Sequence, residues 1–136
     1  MVRKNQRSKS RFETLDKALE LVTYTTNIID NEKIFDKKHQ KTIDRISEEV
    51  TMIYHYCRVA NTIRVNDYQK EFEKVLRRIQ LETEALDLCE DLITDIMICQ
   101  KLFHLKASRV RYWTKMTVET KELITKWRES EKKRCQ

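Results

Sequence analysis

Residues 85–103 read ALDLCEDLITDIMICQKLF. Wound as a helix at about 100° per residue, Ala85, Leu86, Leu88, Cys89, Leu92, Ile93, Ile96, Met97, Cys99 and Phe103 cover roughly half of its surface. A surface helix needs a stripe only ~100° wide. Gln100 alone interrupts the arc. Two arrangements bury so broad a face. Either this helix is central in a bundle, or it packs a second face on another copy of the chain. In the second case Leu88, Leu92 and Cys99 form the oligomer interface, joined by Tyr54 and Tyr56.

The same three-and-four spacing extends outward in both directions. Phe72, Val75, Ile79, Glu82 and Leu86 lead into the stretch. Before it come Phe12, Leu15, Leu19, Val22, Thr26 and Ile29, then Ile43, Ile46, Val50, Ile53, Cys57 and Ala60. After it come Val110, Trp113, Thr117, Thr120, Ile124 and Trp127. Each set keeps one stripe facing a partner and suits shallow bundle packing. The 136 residues include no glycine and no proline. Tight hairpins and phosphate-cradling loops depend on glycine, so long helices joined by short connections remain. The spacing predicts helices near residues 12–30, 38–64, 67–104 and 108–132. Asp36 or Thr42 opens the second, Asn66-Asp67 the third and Ser108 the fourth. The expected fold is all-α: an up-down-up-down antiparallel four-helix bundle over residues 12–132. A basic flexible tail at 1–11 precedes it and a frayed end at 133–136 follows.

Hydrophobic residues make up 40% of the chain, enough for a core. No apolar run approaches the ~20 residues of a membrane span, and no apolar segment follows the basic start. Cys57, Cys89, Cys99 and Cys135 are widely spaced and lack a C-x-x-C pair. Reduced cysteines and a cytoplasmic protein are expected.

Charge is abundant and uneven. Charged residues are 37% of the chain and the net charge is +6. Glu82, Glu84, Asp87, Glu90, Asp91 and Asp95 form an acid block with no base among them. Residues 96–118 hold Lys101, Lys106, Arg109, Arg111 and Lys115 with no acid. In an up-and-down bundle the third connection lies beside the first, which carries Lys37, Lys38, Lys41 and Arg45. The two groups then form one basic end with Lys106, Arg109, Arg111 and Lys115. Arg58, Arg64, Lys74, Arg77 and Arg78 gather at the other. Such surfaces attract phosphate backbones through counterion release. The competing reading is a solvated face with local ion pairs. Trp113 lies on a seam and belongs to the core, whereas Tyr112 is free for a surface contact.

Nothing in the spacing supports catalysis. Asp36-Lys37-Lys38-His39 is the lone carboxylate-x-x-His, and di-iron bundles need two such motifs with further inward carboxylates. Glycine-dependent nucleotide and nucleophile motifs are excluded outright. No enzyme activity, metal or cofactor is expected.

Two stretches carry a family resemblance. They are KALELVTYTTNIIDNEKIFDKKHQKTIDRI (Lys17–Ile46) and LCEDLITDIMICQKLFHLKASRVRYWTKM (Leu88–Met116), followed by WRES (Trp127–Ser130). Lys37-Lys38-His39 and Tyr112-Trp113 with Lys115-Met116 are the most telling pieces. The pattern resembles the accessory variability determinant proteins of diversity-generating retroelements. It looks equally like the four-helix-bundle proteins encoded in intervening sequences of bacterial ribosomal RNA genes. The first resemblance implies a barrel-like homopentamer without catalytic activity. It implies binding to a reverse transcriptase, its template RNA and the cDNA, in support of mutagenic cDNA synthesis. No membrane and no small-molecule substrate enter that picture. The second implies a protein–protein scaffold with no retroelement role.

Overall fold

The computed structural model describes the backbone of residues 4–135 and side chains from Arg11 onward. Four helices pack against one another: α1 Lys4–Ile29, α2 Gln40–Thr62, α3 Phe72–Leu102 and α4 Ala107–Arg134. No strand occurs among the described residues. Contacts run α1 to α2, α2 to α3, α3 to α4 and α4 back to α1. Residues 1–3 of the expected tail lie outside the described residues, and α1 begins within the remainder of it.

The α2 seam is buried at all six predicted positions, from Ile43 to Ala60. The α4 seam is buried from Trp113 to Trp127. Side chains such as Ile46, Ile53, Leu92 and Ile96 are fully enclosed, each worth about 1.5–3 kcal/mol over leaving it exposed. The α1 stripe is partly rotated from the predicted one: Leu15 and Ile29 are buried as predicted. Thr14, Ala18, Leu21, Thr25 and Ile28 turn inward, while Phe12 and Leu19 are exposed. Small residues at 14, 18 and 25 let α1 approach closely, and buried Thr25 accepts a hydrogen bond from Trp113 Nε1 at 2.9 Å.

The broad apolar face of α3 is covered largely within the chain. Leu92 and Cys99 are fully buried and Leu88 is half-buried against the core. Leu92 and Cys99 are thus core residues of this fold, not an exposed contact face. Tyr54 and Tyr56 are half-buried.

The connections use substitutes for glycine and proline. Asp36 accepts the Lys38 N–H and opens a 3-10 turn, Lys37–His39, before α2. Asp67 caps a turn ahead of α3 by accepting from Gln69 and Lys70, so the helix itself starts five residues later than predicted. Ser108 lies inside the first turn of α4, whose N-cap is Lys106 in extended conformation. His104 takes the left-handed position that closes α3, at φ 52°, with Leu105 N–H bonded to Gln100 O at 3.2 Å. Outside glycine, that conformation costs about 1–2 kcal/mol.

A polar cluster is sealed where α3 starts and α4 ends. Glu131 accepts from Arg78 Nη2 and from Trp127 Nε1, the latter at 2.9 Å. Both Arg78 and Glu131 are buried. Glu82 lies beside them, fully buried, and neither of its oxygens finds a hydrogen-bond partner. Burial, and then repulsion from Glu131, push its carboxyl up to about 9. Glu82 is therefore protonated at neutral pH, and unfolding returns it to the ordinary value of 4.5. The proton's stabilisation is whole below about 4.5, shrinks as pH rises and is gone above about 9. Denaturant unfolding of the wild type should lose on the order of 1 kcal/mol per pH unit between pH 6 and 8. Glu82→Gln should remove about half of that slope, because the carboxyl of Glu49, pushed up to about 8, loses its proton over the same range. Identical pH profiles for the two proteins would contradict a protonated, buried Glu82.

Candidate nucleic-acid interface

The connection after α1 is turned by Asn31. Its carbonyl accepts the Ile34 and Phe35 N–H groups at 3.0 and 2.8 Å, and its side chain accepts from Lys33. That turn drives Phe35 into the core at 1% exposure and leaves Lys33, Lys37 and Lys38 outside. The connection after α3 alternates in the same way. Phe103 and Leu105 are buried, and Lys101, His104 and Lys106 are exposed.

Aromatic contacts join the two connections. Phe35 meets Phe103 with ring centroids 4.7 Å apart and Trp113 edge-on at 6.1 Å. His39 meets Phe103 edge-on at 5.4 Å. The bases that flank these rings in sequence therefore lie at one end of the bundle, as the charge pattern predicts. Phe35 belongs to none of the four periodic stripes. The adjacent apolar pair Ile34-Phe35 within a polar connection is the signal that marks it.

The predicted bases differ in how free they are. Lys38, Lys41, Lys106 and Arg111 are exposed and make no ion pair among the described residues; Lys33 and Lys101 share that state. Lys37 pairs with Glu32 at 2.8 Å, both of them exposed. Lys115 is 3.9 Å from Glu119 and largely exposed. Such solvated pairs are weak and exchange readily for a phosphate. Arg109 is half-buried. Its charge opposes the rise that burial gives the Tyr24 phenol. Tyr24 in turn meets the exposed Tyr112 ring at 5.0 Å.

Arg45 is committed elsewhere. Its Nε and Nη2 clasp Asp95 at 3.0 and 2.7 Å. Burial opposes ionisation of Asp95, but hydrogen bonds from Arg45 and Glu49 outweigh it and hold the carboxyl below its ordinary value. Glu49 goes the other way. Burial and then Asp95 push it up to about 8, so it carries the proton that Asp95 lacks.

At the opposite end Arg58, Arg64 and Arg77 are exposed. Lys74 is bound to Glu71 at 2.6 Å. Arg78 is 2% exposed and held by Glu131, so it cannot reach a polynucleotide. The buried carboxylate lies 53 residues away, beyond what spacing within one helix reveals. This end therefore loses Arg78 and keeps Arg58, Arg64 and Arg77 exposed.

Among the described residues no group of three or more histidine, cysteine or acidic side chains is placed to hold a metal ion. No helix there is long and apolar enough to cross a membrane. Comparison with protein-family models, curated proteins and solved structures finds no match.

Removing the Arg45 side chain would leave Asp95 and Glu49 as two adjoining carboxyls without a cation. A fully buried pair loses about 3–5 kcal/mol when one partner is removed. Arg45 is half exposed, so Arg45→Ala should cost about 1–2 kcal/mol. Thermal or urea unfolding measures it. A loss within error of zero would mean that the clasp is decorative and Arg45 is free for ligands.

Proposed function

We propose that the chain is a non-catalytic accessory protein of a diversity-generating retroelement. It binds the reverse transcriptase and its template RNA, and the cDNA made on it, through basic surfaces, and so supports mutagenic cDNA synthesis in the cytoplasm. The bundle runs up-down-up-down, and copies assemble as a homopentameric barrel. The observation that carries the reading is the joining of two basic connections by Phe35, Phe103 and His39, with most of their bases unpaired. Lys38, Lys41, Lys106 and Arg111 form the first contact set; Lys37, Arg109 and Lys115 extend it. Arg58, Arg64 and Arg77 form a second set. The pairs Arg45–Asp95 and Arg78–Glu131 and the Trp113–Thr25 hydrogen bond support the alternating helix directions. Assembly draws on the apolar side chains left exposed on α3, namely Phe72, Leu76, Met97 and Ile98.

The phosphate contacts supply affinity without sequence preference. Selectivity then comes from RNA shape and from the polymerase. A second reading is a protein–protein scaffold of the ribosomal intervening-sequence kind. The exposed apolar residues on α1 and α3 favour it, because charge alone does not account for them.

Charge reversal separates the two. Lys38→Glu, Lys106→Glu and Arg111→Glu combined should weaken RNA binding about 10- to 100-fold at roughly 0.1 M salt. Helix content should be unchanged, since all three side chains are exposed. Undiminished RNA affinity in that variant would overturn the proposed surface. Partner capture that survives nuclease and high salt would favour the scaffold.

A further inference from the structure

One face of this cationic chain has the opposite character. Between α1 and α4 runs an open groove, described by two adjoining hollows that share Asp16 and Glu20. Phe12, Leu19, Tyr112, Met116 and Leu123 give it an apolar floor. Phe12, Leu19 and Tyr112 are 62%, 45% and 54% exposed, unusually open for side chains of that size. Glu13, Asp16 and Glu20 line the α1 side, and Glu119 and Glu122 the α4 side. Against these five carboxylates stand Lys17 and Lys126. Lys17 is already bound to Glu119 at 2.8 Å, and Glu13, Asp16 and Glu122 make no ion pair among the described residues.

The geometry points to a docking site for a basic amphipathic helix of another protein, laid along the α1–α4 groove. Leu19 follows Phe12 by two helical turns, and the lining continues to Asn27. That length is about 20 Å at 1.5 Å per residue, room for three to four turns of a third helix. Apolar anchors at i, i+3, i+4 and i+7 would enter the floor, as in other helix-in-groove recognition. Lysine or arginine flanking those anchors would meet the two carboxylate rows. A two-fold contact between copies through this face is disfavoured by its own charge, because each acidic row would oppose itself; a head-to-tail contact in a ring is the alternative that sedimentation of Leu19→Asp decides. RNA is repelled by the same charge. The groove starts away from the basic end and meets it only at Tyr112, next to Arg111, and at Glu119, which Lys115 also contacts.

The probe is a synthetic peptide of about 18 residues, with leucines at helical spacing and lysines beside them. A scrambled peptide of identical composition is the control. In fluorescence anisotropy the patterned peptide should bind at least ~10-fold tighter than the scrambled one. Leu19→Asp, and separately Glu20→Lys with Glu122→Lys, should each reduce that binding about 10-fold while circular dichroism stays constant. Lys38→Glu with Lys106→Glu, neither of which lines the groove, should leave it intact. Equal affinity for the two peptides, or undiminished binding in both groove variants, would overturn the proposal. So would sedimentation showing that Leu19→Asp abolishes self-association, since the groove would then belong to a second copy.

Discussion

The contact of Phe35 with Phe103 and Trp113 decides where the charges of this protein meet. Phe35 sits outside every helix, yet it is among the most buried side chains. Its ring fills the end of the bundle that the connections after α1 and α3 close together. With Phe35 inside, the lysines beside it in sequence have only solvent to enter. With Phe103 and Leu105 inside, His104 and Lys106 are turned out in the same way. Trp113 completes the plug, and its indole N–H is satisfied by Thr25 on α1. An apolar anchor thus fixes the position of a cationic surface that contributes little to stability itself.

The remaining charges are sorted by what lies across the bundle. The acid block of α3 does not act as a unit. Asp95 takes Arg45, Glu90 takes Lys121, and Glu82 retains a proton in the core. Arg78 is consumed by Glu131. Each such pairing ties up a base: Arg45 near the basic end, Lys121 at mid-length and Arg78 at the far end. Lys38, Lys41, Lys101, Lys106 and Arg111 have no acid opposite them. Charge is consequently segregated: one end is cationic, and the α1–α4 groove is acidic over an apolar floor.

What was legible in the sequence follows from the same logic. Helical periodicity located all four helices, because a stripe repeating every three to four residues needs only its own helix to be recognised. It identified the buried sides of α2 and α4 for the same reason. It misplaced part of the α1 stripe: Leu15 and Ile29 are buried, but threonine and alanine also pack inward and Phe12 and Leu19 stay out. Hydrophobicity ranks those residues in the wrong order, whereas close approach of helices favours the small ones. The basic end was legible from charge runs. The loss of Arg45 from it, and of Arg78 from the opposite end, was not, since their partners lie 50 and 53 residues away on other helices. Leu92 and Cys99 were legible as apolar but not as already covered, which depends on neighbours that composition does not specify.

The proposed interface joins two connections, distant in sequence, into one surface for a polynucleotide. Crosslinking of a bound RNA followed by peptide mass spectrometry tests it directly. Crosslinks should appear on peptides from both connections, around Lys38 and Lys41 and around Lys106 and Arg111, in the same complex and with similar efficiency. Crosslinks restricted to the stretch holding Arg58, Arg64 and Arg77, or to one connection alone, would contradict the account.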